Sequence, residues 1–195
     1  MPSQPVLLYI MKQKKLPNRQ SMRLQGYDYS SPGYYFITIC TNQKEYVIGD
    51  VTKGEMQMNE CGILALYYWK RIDTRYPNTI LHEHIVMPNH IHGVIEIVNA
   101  NPFVGAIHES PLQRNINPEL YRKHRRKMLI PKIIGWYKMN TAKQINQIRK
   151  TPGTKIRQRG YYDHIIRNEE SLFYIREYIK TNPMNWNKDR FYQNR

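Results

Sequence analysis

Acidic residues are scarce in this 195-residue chain, where 15 aspartates and glutamates stand against 30 lysines and arginines. The resulting net charge of +15 favours polyanionic partners, because condensed counterions are released when cationic side chains meet phosphates. A soluble protein that is merely basic is the alternative interpretation of the charge. The 16 tyrosines would suit stacking on unpaired bases, although tyrosine also packs into cores.

Cysteine is scarce as well, and long apolar runs are missing. The two cysteines, Cys40 and Cys61, are far apart, which argues against a disulfide scaffold or a Cys-rich zinc site and fits a reducing cytoplasm. No apolar run approaches the length of a membrane helix, so we expect no membrane partner. No glycine-rich phosphate-binding loop occurs, so nucleotide hydrolysis is not expected.

The order of hydrophobic patterns and turn signals predicts one α+β domain after a basic arm at 1–30. The predicted elements are a strand at 33–41, a helix at 60–76, strands at 79–87 and 90–98, a helix at 131–150, a strand at 161–167 and a helix from Asn168 that Pro183 ends. This order favours an antiparallel sheet with helices packed on one face. Residues 99–130 lack clear periodicity, and we interpret them as a basic insertion or loop.

The stretch "MPNHIHGVIEI" at 87–97 places two imidazoles on a predicted strand. Alternate side chains of a strand share a face, so His90 and His92 point the same way and converge on one position. Neutral imidazole is a common ligand for divalent metals. A structural histidine pair is the alternative, since a His-x-His spacing alone is weak evidence.

The last predicted helix offers a second pair of polar side chains. Tyr178 and Asn182 are four residues apart and lie on one side of the helix, on the flank of its apolar stripe. A phenol is a nucleophile once activated, and an amide oxygen can bind a hard cation. An ordinary half-buried tyrosine and a polar helix end are the alternatives. Tyr174, Tyr137, Tyr161 and Tyr162 are further candidates for the nucleophile, and His164 is a further candidate for a role in the site.

Three stretches in combination resemble the single-tyrosine HUH transposases, above all the REP-associated tyrosine transposases of the IS200-like group: "VMPNHIHGVIEI", "RGYYDHIIRNEESLFYIREYIKTNP" and "RLQGYDYSSPGYYFITICT". The resemblance runs from about Arg23 to Trp186. It implies a ferredoxin-like or RRM-like sheet with the histidine pair on a central strand. It divides the chain into an arm at 1–30, a catalytic domain at 31–186 and a tail at 187–195.

The same resemblance implies the chemistry. Tyr178 would attack a phosphodiester of single-stranded DNA near a hairpin, forming a 5′-phosphotyrosine and releasing a 3′-OH. His90, His92 and Asn182 would hold Mg²⁺ or Mn²⁺. The protein would act in the cytoplasm of a bacterial-type cell, close to the nucleoid, as a monomer or a homodimer.

Clusters of basic residues are the expected contacts to the DNA backbone, because phosphate contacts position a nucleic acid while base contacts specify it. The residues concerned are Arg19, Arg23, Arg122, Lys123, Arg125, Arg126, Arg157 and Arg159.

Three other functions compete with a transposase. A hairpin-binding protein on the same fold could have lost cleavage, although four intact site residues argue against it. A replication or conjugation nicking enzyme would share the chemistry, but such enzymes usually carry further domains. A zinc hydrolase would need a third strong ligand, and neither an HExxH motif nor a cysteine cluster supplies one.

Overall fold

The computed structural model describes residues 24, 27–98 and 118–193, and for 118–122 it describes the backbone only. The strands are β1 (Gly33–Cys40), β2 (Gly49–Thr52), β3 (Glu55–Met58), β4 (Thr79–Met87), β5 (His90–Ile97) and β6 (Tyr162–Ile166). The helices are α1 (Glu60–Lys70), α2 (Ile72–Arg75), α3 (Pro118–Lys127), α4 (Leu129–Ile148) and α5 (Glu169–Thr181), with 3-10 turns at Asn42–Lys44 and Trp186–Lys188.

Four strands form one antiparallel sheet in the order β4-β5-β1-β6, and β2 and β3 form a separate hairpin. Numbered within the sheet alone, the order is 2-3-1-4, with a helix in the first and third connections. This is the ferredoxin-like arrangement, and it confirms the predicted α+β class. The strand with both histidines, β5, is central, between β4 and β1.

The two faces of the sheet pack against different helices. Ile37 and Ile39 of β1 and Ile91 of β5 belong to the larger core cluster, which includes residues of α1 and α4. Phe36 and Val94, on the other face, pack against apolar residues of α5. The expectation of helices on one face therefore holds for α1 and α4, whereas α5 covers the opposite face. That face also carries His90 and His92.

The observed elements follow the predicted ones closely where a cap or turn signal exists. Asn59 and Asn168 cap α1 and α5, accepting hydrogen bonds from Gly62 N at 3.0 Å and Ser171 N at 2.8 Å. The basic segment at 121–127 is different, because the structure places it in α3 rather than in a loop. Lys and Arg are good helix formers, and Pro118 suits the first helical position. None of the helices in the described ranges is long and apolar enough to cross a membrane.

Candidate active site

The two histidines are fully enclosed on the α5 face of the sheet. His90 is 0% exposed and His92 is 1% exposed, and their ring centroids are 4.3 Å apart. Antiparallel pairing with β1 sets Cys40 opposite His90 and Thr38 opposite His92. The alternation predicted from the sequence therefore holds, and both imidazoles lie side by side at the end of β1.

Each histidine has its Nδ1 atom engaged in a hydrogen bond. His90 Nδ1 lies 2.8 Å from Asn89 Oδ1, and His92 Nδ1 lies 2.8 Å from Thr38 Oγ1. His90 Nε2 is buried and has no hydrogen-bond partner among the residues that the structure describes, while His92 Nε2 lies 3.2 Å from the Tyr178 hydroxyl. Metal-bound histidines typically have one nitrogen held in this way, which orients the other nitrogen toward the ion.

A carboxylate from the C-terminal segment completes this cluster. Ligand atoms of Asp189, His90 and His92 lie within 4.8 Å of one another, a separation at which one metal ion could be held. Imidazole nitrogens with a carboxylate oxygen suit divalent first-row metals. No ligand-spacing motif marks Asp189, and sequence reasoning missed it. Its one distinguishing feature is that it is the only acidic residue after Glu177.

Tyr178 sits on α5 with its hydroxyl in the cluster. Its hydroxyl donates to Asp189 Oδ2 at 2.9 Å, and the same oxygen is 3.2 Å from His92 Nε2. Burial raises the pKa of Tyr178, and the neighbouring Asp189 carboxylate raises that pKa further. The phenol is therefore protonated at neutral pH, with its proton directed at a carboxylate.

Asn182 lies one turn beyond Tyr178, at the C-cap of α5, and is 2% exposed. Its Nδ2 donates to Asp189 Oδ2 at 2.7 Å, so the amide oxygen points elsewhere. That Oδ1 atom is buried and has no hydrogen-bond partner within the described ranges. A buried acceptor left without a donor is costly, and a cation would compensate that cost.

The environment of the histidines keeps them neutral. Burial lowers the pKa of His90 well below its ordinary value, and the Arg190, Lys44 and Arg157 cations lower it further. Burial also lowers the pKa of His92, with His90 as the second cause. Neutral imidazole is the form that binds a metal.

The expected DNA contacts are spread over several parts of the molecule. Arg19 and Arg23 lie outside the described residues, as does the side chain of Arg122. Lys123 and Arg126 are exposed on α3, Arg125 on the same helix is partly buried, and Arg159 is exposed in the loop before β6.

Arg157 differs from the expectation of a surface contact. It is 7% exposed and packs over the ring of Tyr137, with Nη2 donating to the Tyr137 hydroxyl at 3.3 Å. Arg157 pairs with Thr41, the residue after β1, and its side chain lies on the face of the sheet that α1 and α4 cover. Buried in this way, Arg157 is not available to a DNA phosphate.

The remaining candidates lie away from the cluster or at its border. Tyr137 is buried on α4, on the opposite face of the sheet, and Tyr174 is 39% exposed on α5. His164 of β6 pairs with Phe36, on the same face as His92. Tyr162 pairs with Thr38 and is partly buried.

A ferredoxin-like sheet that presents two adjacent histidines, a carboxylate and a tyrosine defines a candidate metal site with a tyrosine beside it. An uncharacterized protein of Haemophilus influenzae is 35% identical to this chain over 175 residues, which are 90% of the chain and 93% of the relative. The chain belongs to the same family as that protein. No family model matches the sequence.

Two solved structures are similar to this one. A REP-associated tyrosine transposase bound to a REP hairpin is 14% identical with a TM-score of 0.48, covering 86% of this chain and 74% of the other. A candidate transposase of Deinococcus radiodurans is 15% identical with a TM-score of 0.43, covering 81% of this chain and 96% of the other.

Proposed function

We propose that this protein is a metal-dependent endonuclease and strand transferase that cuts single-stranded DNA near hairpins through Tyr178. The observation that carries the proposal is the position of the Tyr178 hydroxyl, between His92 Nε2 at 3.2 Å and Asp189 Oδ2 at 2.9 Å. A phenol needs a proton acceptor or a cation to become a nucleophile. The Tyr178 phenol contacts the Asp189 carboxylate, which is a proton acceptor, and it lies beside a candidate site for a cation.

The reaction would be a balanced exchange of phosphoester bonds. The Tyr178 oxygen attacks the phosphorus, its proton passes to Asp189, and the bond to the 3′ oxygen breaks. The leaving 3′ oxygen takes up a proton from solvent and Asp189 returns its proton to solvent, so the products are a 5′-phosphotyrosine and a DNA strand ending in a 3′-OH. Because one ester replaces another, a different 3′-OH can reverse the step and join strands without a high-energy cofactor.

His90, His92 and Asp189 would hold a divalent ion, with Asn182 Oδ1, to which no described residue donates, as a further ligand. The fit rests on the buried His90 Nε2, which bonds to none of the described residues, and on a donor set of nitrogens and oxygens, which suits Mn²⁺ better than Mg²⁺, an ion that takes mostly oxygen ligands. When bound, such an ion supplies positive charge that polarises a phosphodiester.

DNA would contact two basic regions at opposite ends of β1. The loop with Arg159 adjoins the end of β1 where the histidines lie, since Gln158 N bonds Cys40 O at 3.1 Å. The start of α4, next to α3, bonds the chain just before β1, as Ile130 N donates to Tyr29 O at 3.1 Å. At about 3.3 Å per residue, the length of β1 separates these regions by roughly 26 Å. A duplex stem of about seven or eight base pairs, at roughly 3.4 Å each, would span that distance.

A covalent-adduct assay tests the proposal. Purified protein is incubated with labelled single-stranded DNA hairpins, with and without Mn²⁺, and resolved on a denaturing gel, and any adduct is mapped by mass spectrometry. We expect a metal-dependent adduct on Tyr178 that Tyr178→Phe abolishes. Tyr174→Phe is the matched control, because it removes a partly exposed phenol one turn earlier on the same helix and should leave the adduct intact.

Two results would contradict the proposal. An adduct that persists in Tyr178→Phe would move the nucleophile to another residue. Tight hairpin binding with neither adduct nor cleavage, under several divalent ions, would favour a hairpin-binding protein that does not cleave.

A further inference from the structure

Asn89 is fully buried in the turn between β4 and β5, and its side chain contacts three separate parts of the chain. We propose that Asn89 is a positioning residue that fixes the proton of His90 on Nδ1 and holds the segment carrying Asp189 against that histidine. The sequence marks Asn89 only as half of a Pro-Asn turn signal. The link to metal binding rests on the proposed function, whereas the proton position and the coupling do not.

The orientation of the Asn89 amide follows from the chemistry of its partners. Nδ2 donates to Lys44 O at 3.0 Å and to Phe191 O at 2.7 Å. Carbonyl oxygens only accept hydrogen bonds, so the NH₂ group has to face these two atoms. Rotating the amide by half a turn would set its oxygen against two carbonyl oxygens and lose both bonds.

The proton of His90 follows from that orientation. With NH₂ facing the carbonyls, Asn89 Oδ1 faces His90 Nδ1 at 2.8 Å. An amide oxygen cannot donate, so His90 Nδ1 has to carry the proton, and the lone pair of the neutral ring lies on Nε2. The tautomer is thus fixed by two carbonyls that never touch the histidine. The result is a buried acceptor at Nε2 in the orientation that metal-bound histidines adopt.

The same amide joins two segments that are far apart in the sequence. Lys44 lies in a turn where Gln43 and Lys44 have φ of 52° and 59°, in the left-handed region. Non-glycine residues in this region are strained and persist where surrounding contacts hold them. The contacts that hold the turn at Lys44 include the hydrogen bond from Asn89 Nδ2 to Lys44 O. In addition, Lys44 Nζ donates to Arg190 O at 3.1 Å.

The other segment carries Asp189. Asp189 Oδ1 accepts from Phe191 N at 2.7 Å, and Phe191 O accepts from Asn89. The Phe191 ring is 2% exposed and lies 4.5 Å from the ring of His90. Asp189 therefore reaches Tyr178 and the histidines from a segment whose backbone Asn89 anchors. The Asn89 amide therefore determines which nitrogen of His90 carries the proton and also helps to position the Asp189 carboxylate.

Two substitutions separate the two halves of the proposal. Asn89→Asp keeps an acceptor for His90 Nδ1 but cannot donate to the carbonyls of Lys44 and Phe191. Asn89→Ala removes all three bonds. The matched control is Asn146→Asp, because Asn146 also bonds a loop carbonyl, donating to Thr154 O at 2.9 Å, and lies on α4 away from the site.

The readouts use metal-free protein without DNA. Long-range ¹H–¹⁵N spectra of histidine-labelled protein, at mildly alkaline pH, report which nitrogen of His90 carries the proton. Amide hydrogen exchange at Phe191 reports whether the C-terminal segment is held. We expect the Nδ1–H form in the unsubstituted protein and in Asn89→Asp, a mixture of tautomers in Asn89→Ala, and faster exchange at Phe191 in both variants. Asn146→Asp should match the unsubstituted protein in both readouts.

An Nε2–H form of His90 in the unsubstituted protein would overturn the first half, and this result needs no variant to fold. Unchanged exchange at Phe191 in both variants would overturn the second half.

Mn²⁺ titration followed by electron paramagnetic resonance tests whether Asn89 contributes to metal binding. We expect Asn89→Ala to weaken Mn²⁺ affinity by about 10- to 100-fold, as loss of a bond that orients a ligand typically does. Failure of the unsubstituted protein to bind Mn²⁺ would count against the proposed function but leave the tautomer result standing. Unchanged Mn²⁺ affinity in Asn89→Ala would overturn the role of Asn89 in metal binding.

Discussion

Replacing Gly93 by alanine should destabilise the protein and disturb His92 from the opposite face of the sheet. Gly93 follows His92 on β5, so its missing side chain would point toward α1. A methyl carbon built there would lie 2.8 Å from Cε2 of Trp69 and nearer still to Cζ2. A Cβ atom essentially never lies closer than 3.0 Å to a non-bonded heavy atom, so either the Trp69 indole or β5 has to move.

The indole has little room to move. Trp69 is 0% exposed and its ring lies 5.7 Å from that of Tyr137, which is itself fully buried. Overpacking of a dense core costs about 1–3 kcal/mol. For a chain of this size, at about 2–4 °C per kcal/mol, the melting temperature should fall by roughly 2–12 °C. Any displacement of β5 also moves His92, so Mn²⁺ affinity should fall with stability.

Thermal unfolding and Mn²⁺ titration of Gly93→Ala measure both effects. Gly135→Ala is the matched control, because a methyl group at this exposed position in α4 meets no described residue beyond its own stretch of helix within 4 Å. That change should stabilise the protein by about 0.8–1 kcal/mol through helix propensity. Adding Trp69→Phe should recover part of the loss in Gly93→Ala, since contacting residues couple by about 0.5–3 kcal/mol. Unchanged stability in Gly93→Ala, or losses that simply add in the double variant, would show that the added methyl group does not clash with Trp69.

Two further predictions concern ionisable groups. Burial raises the pKa of several tyrosines, so these phenols stay protonated in the folded state while they ionise near pH 10 when unfolded; the set is Tyr29, Tyr35, Tyr137 and Tyr178. Their contribution to stability is complete below about pH 10 and lost above it, at up to about 5 kcal/mol per pH unit for four groups. Urea unfolding midpoints should therefore fall steeply above that pH, and constant midpoints would contradict the prediction. Burial also raises the pKa of Cys40 to about 11, so thiol reagents at neutral pH should modify it only after denaturation. Rapid labelling of Cys40 in the native protein would show that this thiol is not buried as described.

Local signals in the sequence were sufficient for most of the fold. Alternation in "HIHGVIEI" predicts β5 and the shared face of the histidines, and the two asparagine caps predict the starts of α1 and α5. The helix α3 was missed because Leu120 and Tyr121 are its only large apolar residues among many charged ones, too few to be recognised as an apolar stripe. The placement of α5 on the opposite face was missed because periodicity identifies an apolar stripe without saying which face of a sheet it covers.

The site residues show the same difference between what local sequence signals predict and what only tertiary packing determines. His90, His92, Tyr178 and Asn182 were selected by spacing and resemblance, and the structure places them around one carboxylate. That carboxylate, Asp189, depends on a segment that returns to the sheet after α5, and only three-dimensional packing brings it there. The burial of Arg157 was missed for a similar reason, because a cation in a basic loop gives no sign that its strand pairing turns it inward.

The candidate site and its surroundings differ in charge: the site contains neutral histidines and one carboxylate, whereas basic residues lie around it. Both histidines are held neutral and Tyr178 is held protonated, so the atoms that could bind a cation are imidazole nitrogens and the carboxylate oxygens of Asp189. Lys44 and Arg190 flank the ring of Phe191 beside it, and the chain as a whole carries +15. Under the proposed function, the overall charge of the protein would draw a polyanion, while the histidine nitrogens and the Asp189 carboxylate would hold a small divalent ion. The proposed reaction brings a phosphodiester to a metal ion, and in this protein the basic residues and the candidate metal ligands that it requires are different residues.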